Sequence, residues 1–121
     1  MRLTRTHTLP NGLRVRLRLP HAGDRRALRD LHGRLDLPVD ELELRRALRH
    51  DRREHVAVCA IGWLGREERL VGFAAGDVGG ADPPLLVADR EVAPRLEELL
   101  VAALADCGVT AAAAGAEERA V

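Results

Sequence analysis

Lysine, serine, tyrosine and glutamine do not occur anywhere in this 121-residue chain, and its aromatics are one Trp and one Phe. Each absence removes a class of chemistry. Without serine there is no serine nucleophile, and without tyrosine no phenolic general acid. Cysteine is nearly absent too: Cys59 and Cys107 stand far apart, with no CxxC and no histidine at metal-ligand spacing. Each falls in an apolar run, which predicts buried reduced thiols rather than a disulfide or a metal site. No apolar stretch approaches the roughly 20 residues of a membrane span. The opening Met1 to Pro10 is polar and basic without an apolar h-region, so no signal peptide is read there and the expected location is cytoplasmic.

What is present is balanced. Hydrophobic residues make up 46% and charged residues 31%, and 19 basic side chains meet 19 acidic ones for a net charge of +0. That mix belongs to a globular chain, and its length to a single domain spanning 1–121. Every basic residue is arginine, which favours phosphate and so suggests nucleic acid. The equal acidic count argues against it, and GC-rich codon usage explains the bias better. The Arg14, Arg16 and Arg18 stripe is therefore read as a solvated strand face, without aromatics beside it for base stacking. An Arg-face nucleic-acid binder ranks last among the functional readings.

Periodicity orders the rest. Leu13 to Leu19 alternates apolar and basic, the period of a half-buried strand, after an Asn11-Gly12 turn and before Pro20. Asp24 offers an N-cap to a helix carrying Ala27, Leu28, Leu31 and Leu35. Pro38 and Asp40 open a second helix, with Leu42, Leu44 and Leu48 toward a core and Arg45, Arg46 and Arg49 outside. His55 to Leu64 and Arg69 to Asp77 are apolar strands joined by the polar Gly65–Glu68 connector, an antiparallel hairpin. Trp63 and Phe73, on its two arms, are expected to pack on each other or in the core. After a loop from Gly79 to Pro84 comes a short buried strand, Leu85 to Ala88. Pro94 starts a long helix whose apolar face is Leu96, Leu99, Leu100, Ala103, Leu104 and Cys107, closed by Gly108. Val109 to Ala114 reads as one more short strand, and 111–121 as a weakly structured tail.

This ordered set resembles the front part of the GNAT superfamily of acyl-CoA-dependent N-acetyltransferases, over about residues 9–109. It is most similar to the bacterial protein-acetyltransferase branch. The resemblance rests on Leu9-Pro10-Asn11-Gly12-Leu13-Arg14-Val15-Arg16-Leu17-Arg18, on the Pro20–Asp24 step into a helix, on the Asp51–Ala57 lead into the hairpin, and on Leu70-Val71-Gly72-Phe73-Ala74-Ala75. It implies an α/β fold: a mainly antiparallel mixed sheet with helices on both faces. Acetyl-CoA is the cofactor it implies, with the thioester held by backbone N–H groups near Leu86, Val87 and Ala88. Lacking the last helix and strands of the family, such a domain leaves a sheet edge open. A homodimer, or a partner protein covering that edge, is then expected.

The family's phosphate loop departs most from this sequence. Its glycines let coenzyme A approach bare N–H groups at a helix start. Asp89-Arg90-Glu91-Val92-Ala93-Pro94-Arg95-Leu96-Glu97 stands in that place, with no glycine between Gly80 and Gly108. Pro94 has no N–H to give, and Glu91, Glu97 and Glu98 repel phosphate. Only Arg90 and Arg95 can compensate. Asp77 and Asp89, at strand ends, are the candidate general bases, set against simple turn-capping carboxylates. His50-Asp51-Arg52-Arg53-Glu54-His55 lacks a metal-binding order and is read as a helix C-terminus leading into a strand. His7, His21 and His32 are expected to face solvent. Acetyl transfer to an amine is one functional reading. A catalytically silent relative, acting as an interaction or ligand-sensing module, stands slightly ahead of it.

Overall fold

A computed structural model describes residues 5–10, 12–49, 51, 53–64, 66–79, 84–90 and 93–109. Its elements run β1 (Thr6–Thr8), β2 (Arg14–Arg18), α1 (Asp24–Arg34), α2 (Glu41–Leu48), β3 (His55–Leu64), β4 (Glu67–Asp77), β5 (Leu85–Ala88) and α3 (Ala93–Asp106). The strands form one sheet in the order β1-β2-β3-β4-β5, with every neighbouring pair antiparallel. Helices α1 and α2 cover one face and α3 the other. This is an α/β architecture compatible in outline with a GNAT-like fold. Sequence readings that involve Asn11, His50, Arg52, Gly65, 80–83, Glu91, Val92 and 110–121 lie outside the described residues. They include the tail and the final short strand beyond Val109.

Local chemistry accounts for each element. β1 is an addition to the sequence reading. Gly12, at φ +86, reverses the chain, and Leu9 N–H donates to Leu13 C=O at 2.8 Å, so the polar Thr6–Thr8 segment is laid beside β2. Helix α1 is capped by Gly23, not by Asp24, which is its first helical residue. Asp40 does cap α2, accepting from Leu42 N–H at 2.9 Å and Glu43 N–H at 3.4 Å. On α2 the buried residues are Leu44 and Ala47, while Leu42 is 53% exposed. Leu42 lies two residues from Leu44, about 200° around the helix, and so points away from the core.

The α3 face is built from Val15, Leu17, Val56, Val58, Ala60, Val71 and Ala74 of the sheet against Leu96, Leu100, Ala103 and Leu104. Burying each of these leucines contributes about 1.5–3 kcal/mol. A bulge shapes this contact: Ala60 pairs with Gly72 but Ile61 with Leu70, so Val71 is the extra residue. Val71 and Gly72 consequently share the α3 side. Gly72 is what lets the helix close down, because a Cβ there would stand 2.6 Å from Leu96 Cδ2. Gly108, at φ +94, ends α3 as expected, with Val109 N–H returning to Leu104 C=O at 3.0 Å.

The opposite face packs Leu28, Leu31, Leu44 and Ala47 on Ala57, Cys59, Ile61, Leu70, Phe73, Ala75 and Val87. Polar ties supplement this layer. Arg34 donates to Leu70 C=O at 2.7 Å, and Arg29 meets Glu41 across α1 and α2 at 2.6 Å. His32 is buried rather than solvent-facing, its Nδ1 donating to Leu28 C=O at 2.8 Å.

Candidate functional site

Two strands and a helix start define the region that the resemblance points to. β5 pairs only with β4, Gly72 with Ala88 through Ala75 with Leu85, and no strand lies beyond it among the described residues. Asp89 N–H donates to Val71 C=O at 2.8 Å, continuing the ladder. Bonded residues alternate along an antiparallel strand. Val87 therefore turns its N–H and C=O toward β4, and Leu86 and Ala88 turn theirs toward the open edge. Of the three residues expected to offer backbone donors, two point outward and Val87 points inward. The strand is also less buried than its composition suggests: only Val87 is buried, and Leu85 is 42% exposed.

The two candidate phosphate ligands do not converge. Arg90 donates to Leu35 C=O at 3.2 Å, on the α1 side of the sheet. Arg95 lies in the first turn of α3, on the other face, and bonds Glu98 at 3.0 Å. It borders a cavity of about 560 Å³ shared with β1, lined by His7, Leu9, Pro10, Glu98 and Leu99 among others. Pro94 is the second residue of α3 and withholds an N–H there. Among the described residues, this helix start would present a pyrophosphate with Glu98 and with a proline that has no N–H. Among the described residues, this lining does not fit coenzyme A phosphates.

The two candidate bases are also apart. Asp77 ends β4, whereas Asp89 lies opposite Val71. Six residues of strand separate those rows, about 20 Å. Asp77 Oδ1 accepts from His55 Nδ1 at 2.8 Å, and His55 Nε2 reaches Ala47 C=O at 3.0 Å. An Asp–His pair facing a cavity of about 470 Å³ has the look of a proton relay. Yet both ring nitrogens of His55 lie within hydrogen-bond distance of protein oxygens, which fixes the ring between β4 and α2. His55 instead ties the last turn of α2 to the start of β3. Among the described residues no group of His, Cys, Asp and Glu is arranged to hold a metal ion.

A second polar cluster went unseen in the sequence. Arg18 forks onto the buried Asp24 carboxylate at 2.7 and 2.9 Å, His21 N–H donates to the same carboxylate at 2.6 Å, and Cys59 Sγ lies 3.6 Å away. Burial pushes the Asp24 carboxyl up, but the Arg18 and His21 hydrogen bonds and the Arg18 charge outweigh it and hold the group below its ordinary value. Burial and then the Asp24 charge push the Cys59 thiol up to about 12. The Arg stripe is thus not uniformly solvated, since Arg18 is consumed by this cluster. Nor does it lack an aromatic: the Arg16 guanidinium lies 5.5 Å from the Trp63 ring centroid. Trp63 pairs with Glu68 and Phe73 with Cys59, so the two aromatics stand on separate rows and do not pack together. The alternation that put Arg14, Arg16 and Arg18 on one side contained part of this signal. With Cys59, Ile61 and Trp63 at the same period on β3, the Trp63 contact follows once the strands are paired.

No family model, curated protein or solved structure matches the chain. Among the described residues no helix is long and apolar enough to cross a membrane.

Proposed function

We propose that the protein is a catalytically silent relative of the GNAT-like acyltransferases, retaining the scaffold as an interaction module rather than moving an acetyl group. The single observation that carries this reading is the divergence of Arg90 and Arg95 to opposite faces of the sheet, each bonded to the protein, beside a helix start occupied by Pro94. Acyl transfer from coenzyme A needs the pyrophosphate anchored there while the thioester lies along the strand edge. Among the described residues the edge is present, and no converging pair of arginines lies beside it. The separation of Asp77 from Asp89 supports the same reading from the acceptor side.

Calorimetric titration with acetyl-CoA tests it. The expected result is no binding heat at millimolar ligand and no release of free thiol in the presence of amines. Saturable heat, weakened by Arg90→Ala or Arg95→Ala, would overturn it. Such a result would favour the second reading, acetyl transfer to an amine, for which the outward groups of Leu86 and Ala88 are the specific support: they present the backbone pattern that an extended amide-bearing arm pairs with.

A further inference from the structure

Building on the silent-relative reading, which leaves the β5 edge clear of an acyl-CoA arm, we propose that a second copy of this chain pairs antiparallel with β5 through the outward groups of Leu86 and Ala88. The two copies would then share one continuous sheet.

The two outer strands of the sheet differ in how they meet solvent. β1 is three residues of Thr-His-Thr after Arg5, short and polar, the kind of edge that resists pairing. β5 is Leu-Leu-Val-Ala, with no charge and no proline inside it. Its register also suits self-association. A two-fold axis normal to the sheet at Val87 sets Leu86 of one copy opposite Ala88 of the other, and each such pair exchanges both N–H···O bonds. Sliding the axis to Leu86 would bring Pro84, which has no N–H, opposite Ala88 and lose part of that exchange.

Exposed apolar side chains lie on β5 and in the stretch that follows α1. Among the described residues the exposed large hydrophobics are Leu37, Val39, Leu42 and Leu85, each 41–53% exposed. Leu85 is on β5 itself. The bond from Arg90 to Leu35 C=O holds the end of α1 at the C-terminal end of β5. The bond between His55 and Ala47 C=O holds the end of α2 where β3 starts and β4 ends, the end at which β5 begins. Residues 36–40 therefore leave α1 beside the C-terminal end of β5, and α2 ends at the level where β5 begins. An axis normal to the sheet keeps the α1 and α2 layers of both copies on one side and sets Leu85 of one copy opposite Asp89 of the other, next to the Arg90 that holds Leu35. Apolar contact beside a strand edge is what main-chain pairing needs for a stable interface.

Sedimentation equilibrium on the whole chain, with hydrogen exchange at the Leu86 and Ala88 amides, tests the proposal. The chain is expected to be a dimer whose Leu86 and Ala88 amides lose protection on dilution. Ala88→Pro removes an outward N–H and none from the β4 ladder, and should give a monomer. Leu85→Glu alters an exposed position on β5 itself and should weaken association about tenfold or more, with the thermal midpoint losing its dependence on protein concentration. A monomeric wild type, or a dimer indifferent to both substitutions, overturns the proposal. So does a monomer with protected amides, since the edge is then covered by the chain itself. Titrating acetyl-CoA into the Leu85→Glu variant separates the two ideas. A monomeric wild type with no acetyl-CoA heat in that variant sinks the dimer alone, whereas acetyl-CoA heat sinks the silent-relative reading on which it rests.

Discussion

Beneath α3 the sheet offers Val56, Val58, Ala60, Val71 and Ala74, with Gly72 among them. Beneath α1 and α2 it offers Cys59, Ile61 and Phe73, with Asp24 and His32 buried in the same layer. On the first face the helix is located by shape: a bulge, a glycine and close leucine contact. On the second the helices are located by directional bonds, Arg18 to Asp24, Arg34 to Leu70 C=O, and His55 to Ala47 C=O. Shape fixes how near a helix can come, and directional bonds fix where along the strands it sits.

Substitutions on each face separate these contributions. Leu100→Ala, fully buried under α3, should cost about 3 kcal/mol through lost contact and a cavity. That loss, read by urea unfolding, should be the same at pH 7 and at pH 4. Asp24→Asn should cost about 2 kcal/mol at neutral pH, because it leaves the partly buried Arg18 without its charge partner. Here the pH dependence has a sign. The Asp24 carboxyl is held below its ordinary value of 3.8, so its stabilising contribution is complete above that value and lost as pH falls through the folded-state value. The gap between wild type and Asp24→Asn should therefore narrow below pH 3.8, and a constant gap would remove Asp24 from the account. Arg16→Ala should have the smallest effect, about 0.5 kcal/mol for an exposed cation–π contact. It should shift the emission of Trp63, the chain's one tryptophan, more visibly than it shifts stability.

Much of this architecture was legible because long apolar elements carry their own period. β3 matches its expected bounds at His55–Leu64, and the face of α3 follows from Leu96, Leu100, Ala103 and Leu104. What escaped was set by pairing rather than by pattern. Thr6–Thr8 has no strand signature of its own and becomes β1 because Gly12 returns it to β2. Glu67 and Glu68 read as a connector but extend β4, opposite Leu64 and Trp63. Asp24 looked like a cap because its position fits one. Its carboxylate is claimed instead by Arg18, a strand residue that alternation assigned to solvent. The candidate site divides in the same way. The strand offering Leu86 and Ala88 was visible in the sequence, but the facing of alternate N–H groups requires the ladder. That Arg90 and Arg95 lie on opposite faces follows only from where α1 and α3 dock.

Cys59 carries a consequence outside binding. A thiol at the centre of the sheet, buried and raised to about 12, stays protonated across the neutral range and out of reach of alkylating reagents. Opening the sheet would return it to water and to ordinary reactivity. Its labelling rate, followed by mass spectrometry against the half-buried Cys107, is thus a built-in clock for how often β3 comes free of α1 and of its neighbouring strands.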